Sequence, residues 1–132
     1  MNKNLWMLLC CCLFVNPALA DDFGSQLAAA AQEHTQQKVR YDGRYIRISY
    51  PGGDVPADIG VCTDVIIRVY RKFGIDLQEL VHLDMRKHFE LYPSKRIWGL
   101  SRPDTNIDHR RVPNLQTFFS RHGKQLPVST EG

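Results

Sequence analysis

Apolar and polar positions alternate along this chain with periods that change from segment to segment, and each period predicts an element. Leu5 to Val15 is an uncharged apolar run broken by Asn16-Pro17. Asp21 to Lys38 is rich in Ala and Gln, strong helix formers, and predicts a helix with a modest stripe of Leu27, Ala30, Ala31 and His34. Tyr41-Asp42-Gly43 reads as a turn, and Arg44 to Tyr50 alternates, which predicts a half-buried strand. Pro51 to Pro56 forces a loop. Cys62 to Phe73 gives the clearest helical signal. Cys62, Val65, Ile66, Val69, Tyr70 and Phe73 follow helical spacing, Gly74 supplies a stop, and Asp58 or Gly60 is placed to cap the start.

A second helix follows from Asp76, whose spacing to Glu79 resembles a capping box. Its expected face carries Leu77, Leu80, Val81, Met85, His88, Phe89 and Tyr92, and Pro93 ends it. Lys95 to Val112 lacks a period and reads as an ordered loop. A short helix from Pro113 or Asn114 then carries Leu115, Phe118 and Phe119 on one side and ends at Gly123. The tail at 125–132 is polar and reads as loose.

The start of the chain changes how the rest is counted. Lys3, the apolar run and Ala18-Leu19-Ala20 have the order of a Sec-type secretory signal peptide, with cleavage expected after Ala20. The eleven apolar residues are well short of the ~20 that a spanning helix needs, so no stable membrane span is expected after cleavage. The expected location is periplasmic or secreted. Cleavage removes Cys10, Cys11 and Cys12, so the 112-residue remainder keeps one of the four cysteines, Cys62. A lone thiol in an exported chain is a buried filler, half of an intermolecular bridge, or a reactive group.

Charge is divided. Residues 21–85 carry 7 basic and 10 acidic side chains, whereas residues 86–124 carry 9 basic and 3 acidic. A basic half can face an anionic partner such as a cell-wall component, or be a plain solvated surface. No nucleic-acid reading motif is present, and export argues against that partner.

Cys62 lies at the first turn of its helix, where partial positive charge favours a thiolate, the nucleophilic form. The competing reading makes it one more packing residue of the stripe. Among the histidines, His109 stands beside Asp108 and is the candidate base or substrate contact. His82 and His88 are six apart and do not form a metal pair, and no metal or other cofactor is expected. Asp104, Asn106, Asp108, Arg110 and Arg111 form a dense polar cluster. It serves either to recognise a charged group through arginine or to pin its own loop. Trp98 and Tyr92 are open to the same two readings, sugar contact or packing.

Residues 41–119 resemble the bacterial exported family catalogued as domain-of-unknown-function family 1287, on the strings YPGGDVP-x-D-x-GVCTDVIIR, YRKFGIDLQ and RPDTNIDHRRVPNLQTFF. The Cys62-to-Arg68 helix followed by Gly74-Ile75-Asp76-Leu77 is more distantly similar to the nucleophile helix of the NlpC/P60 papain-like hydrolases, which cut peptide bonds of peptidoglycan. The resemblance implies that Cys62 is the nucleophile. Asp64, in the same turn, joins Asp104, Asn106, Asp108, Arg110 and Arg111 as candidate substrate contacts. It also implies an α+β papain-like domain in which a sheet after the helices supplies the catalytic histidine. No such segment is found here, so the sequence predicts the helix-rich N-terminal part of that domain. The expected division is a signal peptide at 1–20, a helix at 21–40, the truncated domain at 41–124 and a tail at 125–132. The expected function is that of a cysteine peptidase or amidase of the envelope, inactive in this form. The alternative is a non-catalytic module that binds an anionic wall component.

Overall fold

A computed structural model describes residues 17–124, with side chains from Asp22 onward. Most of the expected signal peptide and the tail at 125–132 lie outside the described residues. The order of elements is α1 (Pro17–His34), β1 (Arg40–Tyr41), β2 (Ile59–Gly60), α2 (Cys62–Lys72), α3 (Leu77–His88), α4 (Ser94–Trp98) and α5 (Val112–His122). Short 3-10 turns occupy Phe89–Leu91 and Asp108–Arg110. β1 and β2 pair in parallel, with Arg40 opposite Ile59 and Tyr41 opposite Gly60. The chain is therefore α+β, helix-rich with one very small sheet.

The core lies where α2, α3 and α5 converge. Ile67, Leu77, Val81, Met85, Tyr92, Leu115 and Phe118 are buried together, with Tyr70, Ile75, Phe89 and Phe119 against them. Burial of each such side chain stabilises the fold by about 1.5–3 kcal/mol before the cost of ordering it. α1 packs on α2 through Phe23, whose ring meets Tyr70 and Phe73 edge-on at 6.3 and 5.5 Å. At the far end, Asp84 of α3 accepts bonds from Tyr92 Oη at 2.6 Å and Arg121 Nε at 2.7 Å, which fixes α5 against α3.

Helix ends follow their local chemistry. Asp76 caps α3 by accepting from the Gln78 N–H at 3.1 Å. α2 stops at Gly74, whose φ of +74° is a conformation that suits glycine. The start of α2 is not capped by Asp58 or Gly60. Val61 occupies the cap position, and Asp64 reaches back to accept from its N–H at 2.6 Å. That is half of a capping box, because a valine side chain has no acceptor to complete the other half.

Four further sequence expectations are corrected. Residues 44–50 form no strand. The Ile48 N–H donates to Asn106 Oδ1 at 2.9 Å, and the Ser49 carbonyl accepts from Gln78 Nε2 at 2.8 Å. Side chains, not a neighbouring strand, satisfy this backbone. Residues 95–112 are not wholly loop, since α4 and the 108–110 turn fall within them. α4 rests on the buried hydroxyl of Ser94, which donates to Asn114 Oδ1 at 3.1 Å, and it ends at Gly99 with φ +66°. The buried face of α2 is also rotated. Thr63, Asp64, Ile67 and Val69 face inward, while Cys62 and Ile66 face out. The expected second-helix face is likewise adjusted, with Gln78 buried and Leu80 41% exposed.

One polar residue organises the loop that the strand was expected to fill. Gln78 is buried at 1% exposure. Its Oε1 accepts from the Gly53 N–H at 2.8 Å, and its Nε2 donates to the carbonyls of Ser49 and Thr105 at 2.8 and 3.0 Å. One carboxamide thus ties residues 49–53 to residue 105 across α3.

Candidate active site

Cys62 is the first residue of α2 and is exposed. What holds it there is the pair of residues that follow it. The Thr63 hydroxyl donates to the Arg110 carbonyl at 2.7 Å. Asp64 takes Arg110 in a two-pronged pair, Nε to Oδ1 at 2.8 Å and Nη2 to Oδ2 at 2.9 Å, with both side chains almost fully buried. Gly60 makes room for this carboxylate, since a Cβ there would stand 3.1 Å from Asp64 Oδ2. The first turn of α2 is thereby locked onto the 108–110 turn, and the thiol beside it is left facing outward.

Burial pushes the Asp64 carboxyl up, but the Arg110 guanidinium, the Val61 N–H and the charges of Arg110 and Arg68 outweigh it, and the net shift is down. Arg110 is raised, mainly by the bonds it donates to Asp64. The pair is ionised and internally satisfied.

Two grooves open on either side of the sulfur. The first, of about 750 Å³, is walled by Leu27 of α1, Ile66 and Tyr70 of α2, and Val112, Leu115 and Phe119 of α5. The second, of about 420 Å³, is lined by Tyr41, Tyr45, Trp98, Ile107, Arg110 and Arg111. In it the Arg111 guanidinium lies 4.1 Å over the Trp98 ring, a stacked cation in reach of solvent. Among the described residues, neither groove is lined by an acidic side chain or a histidine.

The other predicted site residues are placed as follows. Asp64 and Arg110 are consumed in their buried pair. Asp108 is 2% exposed, accepts from the Asp104 N–H and stands 3.4 Å from Arg111. Burial, with a small contribution from Asp104, pushes its carboxyl up to about 6 against the Asp104 N–H bond and Arg111. Asp104 accepts from Tyr45 Oη at 3.0 Å, and Asn106 holds Ile48, so both pin the 45–48 segment. Arg111 lines the second groove with Cys62.

His109 is 2% exposed and lines neither groove. Burial and the neighbouring Arg110 push its imidazole down to about 4, so it is neutral at ordinary pH. Of the two aromatics considered for a sugar site, Tyr92 is buried in the core and Trp98 lines the second groove. The roles of Thr63 and Gln78 carry no signal in the pattern of the chain. A threonine beside an apolar stripe and a glutamine on a helix read as ordinary until distant backbone groups are found opposite each. Among the described residues there is no group of three or more His, Cys, Asp or Glu able to hold a metal ion.

Comparison with known proteins bears out the family resemblance. The family profile described as Domain of unknown function (DUF1287) matches residues 28–132, a span that holds Cys62, the Asp64–Arg110 pair and the whole second groove. The chain is 54% identical over 103 residues to uncharacterized protein YijF of Escherichia coli strain K12. That alignment covers 78% of this chain and 49% of the relative, so the chain spans about half the relative's length. No solved structure matches.

Proposed function

The chain belongs to the DUF1287 family, and from that premise and the surroundings of Cys62 we propose that it is the nucleophile-bearing part of an exported papain-like cysteine hydrolase acting on peptidoglycan peptides. The observation that carries the reading is an exposed thiol at the first residue of a helix, set between an apolar groove and an arginine-bearing aromatic one. The helix N-terminus places partial positive charge behind the sulfur. Residues on both sides of the scissile bond can be held in the two grooves. The apolar groove suits an aliphatic side chain, and Arg111 suits a carboxylate of a peptide stem.

In the proposed reaction the Cys62 sulfur attacks the peptide carbonyl. The C–N bond breaks, the amine leaves with a proton, and water releases the thioester as a carboxylic acid. Each step needs a proton carrier near the sulfur. His109 does not reach either groove, so the proposed base comes from outside the groove-lining residues, and this chain forms the adduct without turnover.

The test is an intact-mass and peptide-mapping experiment on the native chain. It is incubated with a peptide chloromethyl ketone carrying a stem-peptide sequence, with and without soluble peptidoglycan stem peptides. The expected result is one adduct on Cys62, slowed by the stem peptides. Modification no faster than that of a free cysteine peptide, with no competition, overturns the nucleophile. Cleavage of peptidoglycan peptides that is lost in Cys62→Ala overturns the claim that this chain lacks turnover.

A second reading rests on the basic half. Arg86, Lys87, Lys95, Arg96, Arg102 and Lys124 make no ion pair among the described residues, which suits a non-catalytic module held to an anionic wall component. Retention on sacculi that salt abolishes favours this reading, and retention indifferent to salt counts against it.

A further inference from the structure

The face around α4 carries its own signal, and of its exposed residues only Trp98 also lines a groove beside the thiol. Of the five residues of α4, Ser94 alone is buried, and Lys95, Arg96, Ile97 and Trp98 are all exposed. Leu91, in the 3-10 turn just before it, is 52% exposed, and Ile97 is 43% exposed. Leu91, Lys95 and Arg96 line one open groove of about 1070 Å³ with Pro93 and Pro113, in which Glu90 is the one acidic side chain. Neither Lys95 nor Arg96 has an ion-pair partner among the described residues.

A single exposed leucine is ordinary on a protein surface. Three large exposed apolar side chains fall within eight positions of α4 and the turn before it, interleaved with two cations that have no ion-pair partner among the described residues, and together they make a mixed surface. An anionic polysaccharide would use the cations and the indole face but gain nothing from Leu91 or Ile97. A lipid surface uses all of them. Anionic headgroups meet the lysine and arginine, the aliphatic side chains enter the headgroup boundary, and tryptophan places its ring at that boundary with its N–H in water. The long stems of Lys95 and Arg96 let the charges stay at the headgroups while the turn settles deeper. No helix among the described residues is long and apolar enough to cross a membrane, so the contact would be peripheral.

We propose that α4 and the preceding turn, through Leu91, Lys95, Arg96, Ile97 and Trp98, dock this protein on the surface of an anionic lipid bilayer. The docking is independent of Cys62 and stands whether or not the thiol is a nucleophile.

The experiment is flotation of the full chain with large unilamellar vesicles of phosphatidylcholine alone, or of phosphatidylcholine with phosphatidylglycerol, at low and high KCl. Any contribution from the apolar run Leu5–Val15 is common to every variant, so the comparison between variants isolates α4. Each surface cation contributes enough that reversing both in Lys95→Glu/Arg96→Glu should weaken binding to anionic vesicles by ~30-fold or more. Ile97→Ser should weaken it by several-fold with unchanged salt dependence. Both substitutions lie on the exposed surface, and an unchanged circular dichroism melt confirms the fold. Equal binding to neutral and anionic vesicles, or anionic binding unaffected by the charge reversal, overturns the proposal. Retention on sacculi without vesicle binding also overturns it and gives this face to a wall polymer.

Discussion

The pair between Asp64 and Arg110 decides whether the thiol is held at the grooves, and its removal has a magnitude that the structure fixes. Asp64→Ala takes away both oxygens that face the guanidinium at 2.8 and 2.9 Å, as well as the acceptor of the Val61 N–H. Arg110 is 5% exposed, so its charge would be left in the interior with no opposite charge against it. Breaking such a pair by removing one partner costs about 3–5 kcal/mol. A domain of this size is stable by about 5–15 kcal/mol in total. The melting temperature should fall by roughly 12–20 °C, at about 4 °C per kcal/mol. Arg110→Met strands the carboxylate in the same way, though Asp64 keeps the Val61 N–H and the nearby charge of Arg68.

The double variant Asp64→Leu/Arg110→Met removes both buried charges and both desolvation costs. It leaves one N–H without its acceptor, a cost of about 1–3 kcal/mol. It should therefore lose less stability than Asp64→Ala alone. The assay is urea unfolding at pH 7, where the net depression of the Asp64 carboxyl makes its full contribution. Because the folded value lies below the unfolded one, that contribution holds above the unfolded value and is lost only as pH falls below it. If the two single variants each lose under 1 kcal/mol, or the double variant loses their sum, the pair is not what locks the first turn of α2.

Three further outcomes follow from buried groups. His109 titrates at about 4 in the fold against 6.5 in the unfolded chain, so its contribution is present above pH 6.5 and lost as pH falls toward 4, a difference of roughly 3 kcal/mol. Asp108 titrates at about 6 against 3.8, so its contribution is present below 3.8 and lost as pH rises toward 6, again roughly 3 kcal/mol. The two slopes oppose each other across pH 4–6. Urea midpoints should accordingly rise less steeply with pH in His109→Gln and more steeply in Asp108→Asn, and parallel curves for the variants and the wild type would refute both assignments. Gln78→Leu leaves the Gly53 N–H and the carbonyls of Ser49 and Thr105 unpaired. It should cost about 3 kcal/mol or more by thermal melt and raise amide exchange in residues 49–53, and a loss under 1 kcal/mol would show that the loop is held otherwise.

The helices were legible because each carries its own punctuation. Asp76 caps, Gly74 and Gly123 stop, and Leu115 and Phe118 repeat at helical spacing without needing anything distant. The 44–50 segment was not legible, because alternation reports only that one side is drier than the other. It cannot say whether the backbone is satisfied by a strand or, as here, by Asn106 and Gln78. The polar cluster at 104–111 was found in the sequence, but composition could not divide it. Long-range partners do: Asp64 consumes Arg110 from 46 positions away, whereas Arg111 is left against Trp98 at the groove. Cys62 was legible as the first residue of a helix, and its exposure depends on the rotation of that helix.

That rotation has a physical cause, and it bears on the proposed chemistry. By apolar spacing alone α2 should have turned Cys62 and Ile66 into the core. Thr63 and Asp64 instead find buried partners in the carbonyl and guanidinium of Arg110, which makes the inward position of two polar residues tolerable. Ile67 follows Thr63 one turn later into the core. The side chains displaced by this exchange do not vanish into a random surface. Ile66 lines the groove that begins at Cys62, together with Leu27, Tyr70, Val112 and Phe119. A fold that needed only stability would gain by turning those residues inward and leaving Thr63 and Asp64 in water. The arrangement has the opposite sense, with polar groups tied down inside and an apolar groove open beside an exposed thiol. That order is the one the proposed reading needs, and the Thr63 and Asp64 contacts hold the helix turn that sets it.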